Sequence, residues 1–250
     1  MNVLKALAIA ALPAIALAQA PPSVRVIVPV VGSVIGAGEV RWRTALELVN
    51  DSRADVTVAI TLMTVPDQPA WLTTISAGET VAFTDVVGEA FGGDAVLSPL
   101  VVDTLGRRSV TVRAAAYGTK EDKVFRPEPI TIAYGATWTP IRVLQGLSFS
   151  DAFRTNVGLV NLSARETTFH IAVQRLPGRN LAVAHVPMPA YGMWHVPIQT
   201  LFPMITKGDD FTLVIETADP QTYVYASVVE NETNSATFVQ PQVGTSAVVQ

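Results

Sequence analysis

The sequence has no cysteine, only three histidines and few charged residues, which make up 15% of the 250 positions. Without cysteine, disulfide bonds, thiol nucleophiles and cysteine-ligated metal sites are excluded. Few charges together with 49% hydrophobic residues exclude an intrinsically disordered chain. The net charge of -4 argues against nucleic acid as a partner, because such binding needs a basic surface. We therefore expect a globular protein that depends on apolar burial.

Long hydrophobic runs are also missing, and the most apolar stretch stands at the start of the chain. Lys5 precedes about 12 apolar residues interrupted by Pro13, short of the roughly 20 that a membrane span needs. Ala16 and Ala18 supply the small side chains required before a signal-peptidase cut. Residues 1–18 are therefore predicted to be a cleaved signal peptide of an exported protein, periplasmic or secreted, without a membrane span.

What the chain does contain is an internal repeat. Residues 42–52 and 153–163 match at an offset of 111, and they share Arg, Thr, Leu, Val, Asn and Ser at equivalent positions. Collinear matches at a nearly constant offset indicate tandem copies of one domain. Two weaker matches join residues 78–83 to 192–197 and residues 112–115 to 224–227, at offsets of 114 and 112.

Each copy has the two-residue period of half-buried strands. Thr44, Leu46 and Leu48 share one phase with Trp42, and Phe153 begins the same phase in the second copy. Seven or eight short strands per copy, spaced about 8–12 residues apart, are typical of an immunoglobulin-type β-sandwich, and a barrel is the alternative. We predict an all-β protein of two tandem immunoglobulin-like β-sandwich domains, interrupted only by single helical turns near 86–91 and 201–204. The predicted boundaries are 1–18 for the signal peptide, 24–135 and 136–241 for the domains, and 242–250 for a flexible tail.

The residues that could carry out catalysis are few. His170, His185 and His195 lack the spacing of a helical metal site, and they are interpreted as surface or strand-end histidines, although His185 and His195 could meet if their strands pair. No Gly-x-Ser-x-Gly elbow or glycine-rich phosphate loop is present. The sequence therefore predicts a protein that is not an enzyme and has no cofactor and no metal.

Four residues are candidates for ligand or surface contacts. Arg43 and Arg154 occupy equivalent positions pointing away from the core, where a sheet-face arginine packing over its neighbours is favoured over one that contacts a ligand. Trp71 and Trp194 lie near loops and could stack against sugars. Trp42 is discounted as a sugar contact because it falls on the core phase.

Asn50 and Asn161 end equivalent strands on the inward phase. Asparagine at such a position is expected to hydrogen-bond the backbone of the following turn. Both residues also begin N-glycosylation patterns, as does Asn231. A structural need for the asparagine argues against modification at the first two.

The second copy resembles modules found in exported bacterial proteins. The resemblance rests on Phe-Arg-Thr-Asn-x-Gly-Leu-Val-Asn-Leu-Ser at 153–163 and Tyr-Ala-Ser-Val-Val-x-Asn at 225–231, followed by Thr-Phe-Val at 237–239. It covers residues 141–241 well and 27–127 more loosely. The family is largely uncharacterised, and the resemblance implies an extracytoplasmic β-sandwich without assigning a reaction or any functional residue.

Three functions remain open at this point. The favoured one is a structural or adhesive protein that acts by non-covalent contact with a protein partner or a cell-surface polymer. The second is a chaperone-like protein that binds partner subunits by strand addition, since periplasmic pilus chaperones are similar in architecture: exported, of this length and built of two immunoglobulin-like domains. The third is a carbohydrate-binding module.

Overall fold

The computed structural model describes residues 24–65, 67, 69–106, 109–134, 139–176 and 179–244. The predicted signal peptide (1–18) and residues 245–250 of the predicted tail lie outside the described residues. None of the helices in the described part is long and apolar enough to cross a membrane.

The prediction of an all-β protein is confirmed. Strands of the first half are β1 Val24–Ile35, β2 Arg41–Val49, β3 Val56–Leu62, β4 Trp71–Ile75, β5 Thr80–Phe83, β6 Val96–Thr104, β7 Thr111–Lys120, β8 Lys123–Val124, β9 Glu128–Ile130 and β10 Ala133–Tyr134. Strands of the second half are β11 Ile141–Phe149, β12 Phe153–Asn161, β13 Thr167–Leu176, β14 Arg179–Met188, β15 Met193–Pro197, β16 Gly208–Glu216, β17 Thr222–Glu230, β18 Ala236–Val239 and β19 Gln242–Val243. The helices are a 3-10 turn at Ala37–Glu39, α1 at Val86–Phe91 and α2 at Ile198–Leu201.

Apart from β8, a short strand that pairs with β7 in the first half, the two halves have the same strand order, and the described pairings are antiparallel. In the first half one layer runs β4-β3-β6-β1-β10 and the other β5-β2-β7-β9, and the end of β1 crosses over to pair with β2. In the second half the layers run β14-β13-β16-β11-β19 and β15-β12-β17-β18. Within the described residues β14 pairs only with β13, so its other edge is open, and it carries the exposed side chains of Leu181 and Val183.

Strand pairing aligns the repeats more accurately than the sequence does. Leu46 pairs with Phe83 in the first half, and its equivalent Val157 pairs with Val196 in the second. Equivalent residues of β5 and β15 therefore differ by 113, so the predicted offset of 114 was one residue too long. The similarity between these two segments is too weak to set the register by itself.

Each half encloses its own apolar core, because alternate residues of its strands point between the layers. Buried side chains of the first cluster include Leu46, Val58 and Leu100. The second cluster is built in the same way, with fully buried residues such as Leu159, Phe169 and Ile215.

The first residue of the predicted inward phase departs from the pattern in both halves. Trp42 is half-buried, and Phe153 is exposed over 36% of its surface. Both lie at the start of a strand. Their position in the alternation was therefore a poor guide to their burial.

The predicted turn asparagines are present in both halves with the same contacts. Asn50 Nδ2 donates to three backbone carbonyls, and its Oδ1 accepts hydrogen bonds from the backbone N–H and the hydroxyl of Ser52. Asn161 repeats this network with Ser163. Both asparagines are completely buried. Their amide nitrogens are therefore inaccessible to glycosylation in the folded protein.

The two halves meet where the second half's β12-β17 sheet turns its outer face toward the first. Phe238 of β18 packs against the first core cluster and stacks on Tyr225, with the ring centroids 5.0 Å apart. Tyr225 is itself completely buried, although it points away from the core of its own half. Its ring contacts Gly158, His195 and Phe238 of its own half, and Phe238 in turn packs against the first core cluster.

Candidate functional site

Arg43 and Arg154, which the repeat pairs across 111 residues, line the same cavity at the junction of the halves. Both point away from the core of their own half, as predicted. The cavity has a volume of about 480 Å³, within the roughly 300–1,000 Å³ range of small-molecule sites. We refer to it as the junction cavity.

The walls of the junction cavity are mainly apolar. One side is formed by the end of β1 with β2, and the other by the outer face of β12, β17 and β18. Apolar lining side chains are Val30, Val34, Ile35, Trp42, Ile130, Pro197, Val229 and Phe238. Ile35 stands at the first-half side with 68% of its surface exposed. The cavity therefore offers an apolar surface that the fold itself leaves unfilled.

Arg43 forms an ion pair with Asp85, and this carboxylate also accepts hydrogen bonds from other groups. Its Nε lies 3.3 Å from Asp85 Oδ2, and this buried nitrogen makes no hydrogen bond. Asp85 also accepts hydrogen bonds from the hydroxyl of Ser33 and from the backbone N–H of Gly88, at the start of α1. The charge of Arg43 is thus largely balanced within the protein.

The charge of Arg154 is not balanced by a carboxylate among the described residues. Its Nη1 and Nη2 donate to the amide oxygens of Asn231 and Asn234, at 2.8 and 3.0 Å. No carboxylate of the described residues lies within ion-pair distance of it, although Glu128 is part of the same cavity lining. Burial lowers the pKa of Arg154, which nonetheless remains a cation at neutral pH. Arg154 is therefore the cation most available to an anionic group in the cavity.

His195 is a polar residue of this cavity that sequence reasoning placed wrongly. It was interpreted as a surface or strand-end histidine, but it lies inside β15, with Nδ1 2.9 Å from the hydroxyl of Tyr225. Burial lowers the pKa of His195 to about 4 and raises that of Tyr225 well above its usual value. The pair is therefore neutral at physiological pH. One signal for this arrangement was present, since Gly158 in the middle of a strand indicates the close approach of another group.

The other two histidines form a separate pair on the second half. His170 and His185 face each other across β13 and β14, with their Nδ1 atoms 2.7 Å apart. The possible meeting of His185 with His195 does not occur. In the described residues no three histidine, aspartate or glutamate side chains come together as metal ligands.

The two candidate tryptophans lie in different surroundings. Trp71 is partly buried against the first core, where its ring meets that of Phe83 edge-on at 5.1 Å. Trp194 is 39% exposed and borders a second, open groove of about 840 Å³ between the halves. Tyr191, which is 42% exposed, borders the same groove. Trp71 thus has a packing role, whereas Trp194 and Tyr191 offer aromatic surface to solvent.

The chemistry of the junction cavity favours binding. His195 is neutral, and its Nδ1 lies within hydrogen-bond distance of the Tyr225 hydroxyl. The hydroxyl groups of Thr44 and Ser227 also line the cavity, and neither has a histidine as a hydrogen-bond partner among the described contacts. What the cavity presents is apolar area with one incompletely balanced cation at its wall.

No family model, curated protein or solved structure matches the chain.

Proposed function

We propose that the chain is an exported protein of two tandem immunoglobulin-like β-sandwich domains. The shared strand order of the halves supports this, and so do the two matching asparagine networks. Two packed antiparallel layers per half are the architecture of a β-sandwich. Export rests on the predicted signal peptide, and the resemblance to exported bacterial modules agrees with it.

The proposed function is non-catalytic binding of a protein partner at the junction cavity. The observation that carries it is the meeting of Arg43 and Arg154 on one apolar cavity between the domains. Because Asp85 balances Arg43, the free charge belongs to Arg154. The partner chemistry that fits is an apolar segment with a carboxylate beside it, since its side chains would fill the cavity while the carboxylate pairs with Arg154. This makes the protein a structural or adhesive module that acts through protein contact.

Site-specific photocrosslinking in the native exported fraction tests this function. A photoreactive amino acid at Ile35 sits beside the cavity, and one at Leu72 serves as a matched control, because it is similarly exposed (62%) but lies on the edge strand β4. We expect a protein partner to crosslink at Ile35 and not at Leu72. Arg154→Gln should abolish this crosslink, whereas Arg113→Gln, at an exposed sheet arginine, should preserve it.

Three results would overturn the proposal. The first is equal crosslinking at positions 35 and 72, and the second is crosslinking at 35 that Arg154→Gln leaves unchanged. The third is a metal- or serine-dependent turnover by the pure protein, which would replace binding by catalysis.

A second candidate is carbohydrate binding in the open groove. Trp194 and Tyr191 expose their rings on the same concave surface, and sugars stack on exposed aromatic rings through their apolar faces. Retention of the protein on cell-surface polysaccharide is then expected, and Trp194→Ala should reduce it at least tenfold. Trp71→Ala is the matched control, since Trp71 packs against the core. Retention that is independent of Trp194 would dismiss this candidate.

A further inference from the structure

A buried arginine that lines neither candidate surface lacks a partner for its charge. Arg142, near the start of β11, is only 5% exposed. Its Nη2 donates to the hydroxyl of Thr222 at 3.0 Å, whereas Nη1 is buried without a hydrogen bond. Folded proteins rarely leave a buried cation in this state, because removal of a charge from water is costly unless an opposite charge compensates.

No carboxylate of the described residues supplies that compensation. The described ion pairs do not include Arg142. Asp219 lies in the turn before β17, but its side chain accepts the backbone N–H of Gln221. Burial lowers the pKa of Arg142 to about 10, which still leaves it protonated at neutral pH. The cation therefore persists inside the fold.

The first half shows that the fold does not need a cation here. Val26 in β1 pairs with Val102, and Arg142 in β11 pairs with Ile215, so Val26 and Arg142 occupy equivalent places. Val26 is completely buried in the first core. An apolar residue at such a position is usually at least as stabilising as a buried charge. A role other than stability thus accounts better for the arginine of the second half.

Arg142 lines a small cavity of its own. The volume is about 140 Å³, and polar residues such as Gln221, Thr222 and Gln242 share the wall with apolar ones such as Ile27, Leu162 and Val243. Since a water molecule takes up roughly 30 Å³ in the liquid, the space suits a solute of a few heavy atoms. We call it the Arg142 cavity.

We propose that the Arg142 cavity binds a small monocarboxylate of the size of formate or acetate. One guanidinium balances one negative charge, and its planar N–H groups match the two oxygens of a carboxylate. Arg142 is part of the wall of the cavity, and no carboxylate of the described residues pairs with it. The apolar part of the wall accommodates a methyl group. This site is independent of the junction cavity and of the function proposed for it.

Thermal unfolding in the presence of acetate tests the proposal. Gluconate keeps the ionic strength constant and serves as a carboxylate too large for the cavity. A ligand that binds only the folded state raises the Tm. Once its concentration exceeds the Kd, the stabilisation increases with the logarithm of the concentration. We expect acetate to raise the Tm of the wild type relative to gluconate, and formate to act similarly. Arg142→Met should abolish the difference, and Arg113→Met, at an exposed arginine, should retain it.

Equal Tm values in acetate and gluconate would overturn the proposal, because they would mean that the cavity holds only water. An acetate effect that persists in Arg142→Met would overturn it as well. Should that variant fail to fold, the line width of ¹³C-labelled acetate decides the matter with the wild type alone. Broadening by the protein that excess formate reverses supports the site, and unchanged lines refute it.

Discussion

His195 shows how strongly the surroundings of one residue control its charge. Burial lowers its pKa to about 4, whereas a histidine in an unfolded chain titrates near about 6.5. Between these two pH values the imidazole of His195 is protonated in the unfolded chain and neutral in the folded protein. The contribution of neutral His195 to stability is therefore complete above about pH 6.5 and is lost as the pH falls toward 4.

We accordingly expect His195→Gln to flatten the pH dependence of stability on the acid side. From the size of the pKa difference, the wild type should lose about 3 kcal/mol through this residue between pH 6.5 and 4. Denaturant unfolding at several pH values measures the loss. His185→Gln is the matched control, because His185 is exposed. An identical pH profile for wild type and His195→Gln would show that His195 titrates normally.

Sequence reasoning succeeded for some single residues and failed for others. Asn50 and Asn161 were predictable, because strand phase and turn position together specify their hydrogen bonds. His195 and Tyr225 were not, because alternation along a strand distinguishes the inner face of a sheet from its outer face but does not reveal which side chains pack together on the outer face. The convergence of Arg43 and Arg154 on one cavity depends on the same packing.

Strands β12 and β17 pair a glycine with a tyrosine at a position where the first half pairs two charged residues. Gly158 pairs with Tyr225, whose ring lies over the glycine, so that a Cβ at position 158 would overlap the ring. The equivalent pair in the first half is Glu47 with Arg113, both exposed. The glycine thus allows a tyrosine ring to lie flat on the sheet at the junction.

Gly158→Ala should displace the Tyr225 ring and destabilise the protein. Overpacking of this kind costs about 1–3 kcal/mol, and we expect a loss in this range by denaturant unfolding, together with weaker His195–Tyr225 contact. Glu47→Ala, at the equivalent position, should change stability by less than about 0.5 kcal/mol. Equal effects of the two substitutions would contradict this account of the junction.

The bounds of the two short helices were predicted correctly in one case and wrongly in the other. The turn predicted at 86–91 coincides with α1 at Val86–Phe91, where the Asp85 side chain accepts a hydrogen bond from the backbone N–H of Gly88. The turn predicted at 201–204 was misplaced, since α2 is Ile198–Leu201. Pro203 cannot supply a helical N–H, which favours a helix that ends before it.

One aromatic side chain, Phe238, connects the packing of the two halves at the scale of the whole molecule. Phe238 belongs to the second half but packs against the first core and on Tyr225. We expect contact of this kind to couple the unfolding of the two halves, because unfolding of one exposes apolar surface of the other.

Phe238→Ala should separate the unfolding of the halves. We expect the wild type to unfold in a single calorimetric transition and the variant in two, with about 2 kcal/mol of apolar burial lost at the junction. Phe153→Ala is the control, because Phe153 is exposed and lies in β12 of the same half. A single unchanged transition in Phe238→Ala would mean that the junction does not couple the halves.

The sequence by itself determined the all-β character, the repeated strands and the buried turn asparagines. These features depend on local periodicity and on turn chemistry, which neighbouring residues along the chain specify. Only the tertiary structure decided that Arg43 and Arg154 share a cavity, that Tyr225 is buried between the halves and that Arg142 stands where the first half has Val26. The physical reason is that these arrangements depend on sheet register and on the packing of one half against the other, which no local pattern in the sequence encodes.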